Sequence, residues 1–328
     1  MRTLYLIIFL FYGILGFAQN TDFEQYSSSI QSEDLRQLLY VYASDFFQGR
    51  ETGTIGQQRA VTFLKEFYVT RGIKSAKGSE NYFQKMTLYI KGVNVKTENV
   101  VAIIEGSEKP DEYLVISSHL DHIGIKGGLI NNGADDDGSG TVSLLEIAEA
   151  FQKSVEAGNG PKRSIIFLHF TGEEKGLLGS KYYTDNPLYP LKNTIANLNI
   201  DMVGRSDPKR KNNNPNYIYL IGSDRLSTEL HELSEKVNKA SVNIDLDYTY
   251  NAHDDKNRFY FRSDHYNFAK NNIPVIFYFN GTHADYHKPT DTVEKIEFDL
   301  METRARLIFA TAWELANREE RIKLIEKK

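Results

Sequence analysis

Apolar positions along the 328-residue chain alternate between two spacings. Short, nearly continuous apolar runs occur at Tyr113–His119, Ser164–Phe170, Asn193–Met202, Tyr217–Ile221 and Ile273–Phe279. Their length and continuity predict strands buried on both faces. Two more β-rich pieces, Tyr82–Ile90 and Glu98–Ile104, precede them. Between these runs the apolar residues move to helical spacing. Ala60, Phe63, Leu64 and Phe67 lie in a helix that Gly53 and Gly56 would open and Gly72 would close. "SGTVSLLEIAEAFQKS" is strongly amphipathic, and further helices are predicted over Gly176–Thr184, Leu226–Val237 and Phe298–Lys323. Thr21–Tyr40 carries a looser helical spacing. Strands alternating with helices predict an α/β fold, a three-layer sandwich with a central, mostly parallel mixed sheet and helices on both faces. There is no internal repeat and no low-complexity linker, so one domain is expected over residues 19–328.

Functional groups in such folds collect beyond the carboxyl ends of the strands. Polar clusters stand at those places: "SSHLDH", "NNGADDDGSG", "HFTGEEKG", "NIDMVG" and "GTHADYHKPTDT". A turn or a helix cap would explain one aspartate of Asp135–Asp137, but not three. An EF-hand register fails, because it puts Gly133 at position 1 and Leu144 at position 12. A hard cation is the remaining attraction. Glu173 and Glu174 are either a charged helix start or a pair with separate jobs, one metal ligand and one general base. In a strand, His119 and Asp121 face the same side, so Asp121 could orient the imidazole. His122 points elsewhere and reads as structural, as do His169, His231 and His253. Asp201 closes an apolar strand and needs a partner, and His287 offers a last nitrogen. Oxygen and imidazole donors without thiols suit zinc, with manganese or cobalt as substitutes.

Composition narrows the field. A net charge of −5 and the lack of a basic stripe argue against a nucleic-acid partner, and Lys209–Lys211 reads as a solvated loop. The first twenty residues, "MRTLYLIIFLFYGILGFAQN", have the pattern of a signal peptide cut after Ala18. The apolar run is short for a membrane span. Export to the periplasm or the medium is expected, with no stable membrane anchor after cleavage. Cysteine is absent, which removes disulfides, cysteine lipidation and thiolate ligands.

Taken as an ordered set, "HLD", "GADDDGSG", "TGEEKGLLGS", "NIDMVG" and "YHKPTDT" resemble the M28 family of zinc metallopeptidases, in its dinuclear aminopeptidase form. "GRETGTIGQQRA" and "RSDHYNFAKNNIPVIFY" resemble its flanking segments, so the likeness runs from about Asp45 to Leu315. The resemblance implies His119, Asp136, Glu174, Asp201 and His287 as ligands of two zinc ions, with Asp136 bridging. It implies Glu173 as general base, Tyr286 as oxyanion donor, and Asp121 behind the first histidine. Asp135 and Asp137 become supporting acids, and a cis peptide is implied between Asp136 and Asp137. The segment before His119 is too short for the protease-associated domain that the family often inserts. The implied reaction is hydrolysis of N-terminal residues from peptides by a metal-activated water. The alternatives are a single-zinc glutaminyl cyclase, a carboxypeptidase or dipeptidase of the same fold, and an inactive secreted binding protein. Lys209–Asn216 and Asp245–Arg262 are the expected substrate-pocket loops.

Overall fold

The computed structural model describes residues 22–326, so the expected leader over 1–18 lies outside the described residues. The strands are β1 (Lys74–Ser75), β2 (Phe83–Ile90), β3 (Val93–Ile104), β4 (Lys109–His119), β5 (Gly124–Lys126), β6 (Leu129–Asn131), β7 (Arg163–Phe170), β8 (Thr194–Ile200), β9 (Tyr217–Ile221), β10 (Asp245–Asp247) and β11 (Val275–Phe279). The α-helices are α1 (Asp22–Ser27), α2 (Ser32–Tyr42), α3 (Ile55–Thr70), α4 (Gly140–Glu156), α5 (Leu178–Asp185), α6 (Thr228–Ala240), α7 (His265–Lys270) and α8 (Phe298–Asn317).

One nine-stranded sheet runs β1-β3-β7-β4-β8-β11-β9-β10, with β2 also paired to β3, while β5 and β6 form a separate hairpin. Its centre, β7-β4-β8-β11, is parallel throughout. Antiparallel pairings flank that centre at β3–β7 and at β9–β11. The period-two geometry of a strand explains the continuous apolar runs. On β7, Ile165 and Phe167 face one core cluster with Phe151 of α4 and Ile308 of α8. Ile166, Leu168 and Phe170 face the other, with Tyr183 of α5 and Phe268 of α7. A strand covered by helices on both sides needs apolar residues at every position, and the three predicted layers follow.

The last helix is shorter than its apolar spacing suggests and ends at Asn317 rather than Lys323. The reason lies in the buried Arg163 at the start of β7. Its guanidinium bonds the main-chain carbonyls of Leu315, Arg318 and Glu319, which fixes the chain in a non-helical course beyond Asn317. Among the described residues, no helix is long and apolar enough to cross a membrane.

The parallel centre sends four chain exits to one edge: after His119, Phe170, Ile200 and Phe279. Every polar cluster singled out in the sequence lies in a loop at that edge.

Candidate metal centre

The aspartate triplet lies in an irregular turn leading into α4, and all three side chains are buried. The Asp136–Asp137 peptide is cis, as the family resemblance implied. The three carboxylates do different work. Asp137 is spent on the main chain: Oδ1 accepts from the N–H of Gly140 at 2.9 Å and of Met202 at 3.2 Å, and Oδ2 accepts from the N–H of His119 at 3.1 Å. Asp135 accepts from the Gly204 N–H at 2.7 Å and the Ser139 hydroxyl at 2.9 Å, and its other oxygen is 3.1 Å from His283 Nε2. Asp137 staples the turn to the end of β4 and the β8 loop, and Asp135 staples it to the β8 and β11 loops. Asp136 aims its oxygens two ways, Oδ1 lying 3.3 Å from His119 Nε2 and Oδ2 3.0 Å from His287 Nε2.

Around Asp136 Oδ1 stand His119 and Asp201, with His119 Nε2 3.6 Å from Asp201 Oδ1. Asp137 is also within reach of His119 and Asp201. Its oxygens already hold three N–H groups, so Asp136 is the better donor. Asp201 is steadied through Oδ2, which accepts from Ser263 at 2.7 Å, and Ser263 in turn accepts from Asn199 at 2.9 Å. Around Asp136 Oδ2 stand His287 and Glu174, 3.2 Å apart.

Two readings of "HLDH" need correction. The His119 ring is held through Nδ1 by the main-chain carbonyl of Asp121, at 3.0 Å, not by its carboxylate. β4 stops at His119, so the strand period no longer places Asp121 beside the ring. The Asp121 carboxylate instead accepts from the Thr52 hydroxyl at 2.7 Å and the Glu173 N–H at 3.1 Å, which positions Glu173. His122 does not point away: its Nδ1 is 2.9 Å from Glu174 Oε1 and 3.8 Å from Asp136 Oδ2.

Both ring nitrogens of His122, Asp136 Oδ2 and Glu174 Oε1 are buried without a hydrogen-bond partner. Buried polar atoms left so cost free energy that a cation would recover. The donor set is all nitrogen and oxygen, as zinc accepts. The residues therefore fit a metal.

The adjacent glutamates have opposite electrostatics. Burial pushes the Glu173 carboxyl well above the usual range, with Glu174, Asp201 and Asp264 adding to it against the pull of His119. Glu174 is also buried and beside Asp136, yet the close approach of the His122 and His287 imidazoles outweighs both and brings it down to about 2. Carboxyl groups pushed apart in this way mark a split between proton carrier and permanent anion. The half-buried Tyr286 ring stacks on His287 with centroids 3.9 Å apart. Burial, then Asp136 and Glu174, raise its hydroxyl, so it stays a donor. A narrow recess of about 30 Å³ opens beside His119, Glu173 and Asp201 and is lined by Met202, Phe259, Phe277 and Phe279. Of the two expected pocket loops, Asp245–Arg262 reaches the recess through Phe259 and Arg262. The other folds away, with Arg210 paired to Asp245 and Asp247.

His169, His231 and His253 stand outside the cluster as expected, bonded to Tyr68 and Ser118, to Ser223, and to Arg225. Sequence reasoning passed over Arg50, Asp291 and His283. Asp291 accepts from the N–H groups of Asp135 and Asp136, and Arg50 donates to the carbonyls of Leu120, Asn132 and Gly133. For Asp291 a signal was present, an acid four residues after His287 in "HKPTD". The hydrogen bonds of Arg50 all go to main-chain carbonyls, which leave no trace in side-chain patterns.

A mixed α/β sheet whose parallel strand ends gather two donor sets about one shared aspartate defines a metallohydrolase-type centre. The chain belongs to peptidase family M28, whose model matches residues 99–312. It is 32% identical over 225 residues to leucine aminopeptidase 1 of Pyrenophora tritici-repentis, an alignment spanning 66% of this chain and 55% of that protein. The chain thus spans about half the length of that curated relative. Among solved structures it is similar to the Legionella pneumophila LapA aminopeptidase, with a TM-score of 0.70, 21% identity, and coverage of 91% of this chain and 75% of that one. A glutaminyl cyclase from Bacteroides thetaiotaomicron gives a TM-score of 0.66 at 16% identity, covering 87% of this chain and 98% of that one. At these identities the two structures speak for the fold alone.

Proposed function

We propose that this chain is an exported dinuclear zinc exopeptidase, an aminopeptidase that removes N-terminal residues from peptides. One observation carries the reading: Asp136 presents one oxygen to each of two donor sets, His119 with Asp201 and Glu174 with His287. Metal ions held there would supply Lewis acidity, lowering the pKa of water and polarising the scissile carbonyl.

The protein's own part follows from its side chains. Glu173, kept basic by its dry surroundings, takes a proton from the attacking water and passes it to the departing amine nitrogen. The C–N bond breaks, and the peptide and one water become an amino acid and a shortened peptide. Tyr286, protonated and packed on His287, donates to the carbonyl oxygen as negative charge grows there. The aromatic and methionine walls receive an apolar side chain. The leader pattern over residues 1–18 supports export.

The likeness to a glutaminyl cyclase fold keeps a second reading in view. A panel of peptides with free or acetylated N-termini separates the possibilities. The proposal expects cleavage of the first residue from free peptides only. Cleavage of acetylated peptides from the other end would make the chain a carboxypeptidase. Ring closure of N-terminal glutamine without hydrolysis would make it a cyclase.

A further inference from the structure

We propose that His122 is a ligand of the metal position defined by Glu174 and His287, making that position a closed four-donor site. The inference rests on the two-metal reading above and extends it by one residue. His122 is fully buried, and neither of its ring nitrogens has a hydrogen-bond partner. Its Nδ1 lies 2.9 Å from Glu174 Oε1, yet the pair does not meet hydrogen-bond geometry. Two buried polar atoms this close and not bonded to each other are aimed at a common third atom. Asp136 Oδ2 is likewise without a partner and lies 3.8 Å from the same nitrogen. His287 Nε2 closes the group at 3.0 Å from Asp136 Oδ2 and 3.2 Å from Glu174 Oε1.

The surroundings fix this imidazole. Gly133 has φ +55°, and a Cβ there would meet the His122 ring at 2.6 Å, so only glycine lets the turn close over it. Arg50 holds the Gly133 carbonyl at 2.9 Å, which keeps the turn in place.

The two donor sets then differ in kind. His119, Asp136 Oδ1 and Asp201 provide three donors, and all three residues line the recess. Of the other set, Asp136 and His287 reach the recess, whereas His122 and Glu174 do not line it. A closed tetrahedral set is the mark of a retained, structural zinc, and a three-donor set leaves a place for substrate or water. The His119 position is therefore the open, exchangeable one.

Zinc-loaded full-length protein and its His122→Phe variant are compared by metal content against a graded series of chelators. X-ray absorption on the zinc-loaded wild type counts imidazole ligands. The wild type is expected to retain two zincs and to show three imidazoles across the pair. His122→Phe should lose one zinc at more than about 100-fold lower chelator strength, a larger effect than supporting residues produce. Wild type with two zincs but only two imidazoles overturns the assignment even if the variant misfolds. So does a folded variant that keeps both zincs at unchanged strength. A wild type that binds fewer than two zincs defeats the two-metal reading itself, and this assignment with it.

Discussion

The two ends of the parallel strands handle buried charge in opposite ways. At the amino end, Arg163 is fully buried and fully satisfied: it pairs with Glu112 at 2.6 Å and donates to three main-chain carbonyls. At the carboxyl end, His122, Asp136 and Glu174 are as deeply set, yet atoms on each have no partner. A completed network is a structural device, whereas convergent orphan atoms mark a place where something else must bind. Burial alone does not distinguish them. Satisfaction does.

Substitutions can break or sharpen this contrast, and the largest effect is expected at Glu173. Glu173→Gln should lower turnover by roughly 10²–10⁴-fold while leaving metal content unchanged by elemental analysis. Loss of metal in that variant would erase the separation between base and ligand. At the other end, Arg163→Ala should destabilise the fold by about 3–5 kcal/mol in denaturant titration, since it leaves Glu112 and several carbonyls unpaired. Metal content should not move. If Arg163→Ala released zinc instead, the two ends would not be independent. Tyr286→Phe should slow turnover roughly 10–1000-fold, by the worth of a single oxyanion donor, and an unchanged rate would remove the hydroxyl from the reaction.

The smallest effect concerns Glu146 of α4, a buried carboxyl away from both ends, pushed up to about 8 by burial and then by Glu149 and Asp34. Its folded-state pKa exceeds the unfolded value, so the folded chain holds the proton more tightly. Its contribution is fully present below about pH 4.5 and is lost as pH rises to about 8. Glu146→Gln should therefore raise stability by roughly 2–4 kcal/mol near pH 7, with no gain at pH 4. Melting curves at the two pH values check this, and an equal gain at both would exclude titration as the cause.

How much was legible in advance follows from what each feature depends on. The strands of the parallel centre were readable because both faces are covered, as Ile165–Phe170 shows. The clustering of the candidate donors was readable because the parallel strands end at one edge and each exit carries an acid or a histidine. The Asp triplet resolved as expected into one free carboxylate, Asp136, between two that anchor the turn. What failed was local. Asp121 and His122 were placed by extending the strand period beyond His119, where β4 has already ended. The end of α8 was missed because tertiary bonds from Arg163 override the helical spacing. Supports such as Arg50 and Asp291 act on main-chain atoms of distant loops, a relation that sequence spacing does not encode.

The central claim is that Asp136 joins two metal positions. Native mass spectrometry of the zinc-loaded wild-type chain tests it most directly. A species carrying two zinc ions per chain is expected, reduced to one in the Asp201→Ala variant. A wild-type species that saturates at one zinc would contradict it.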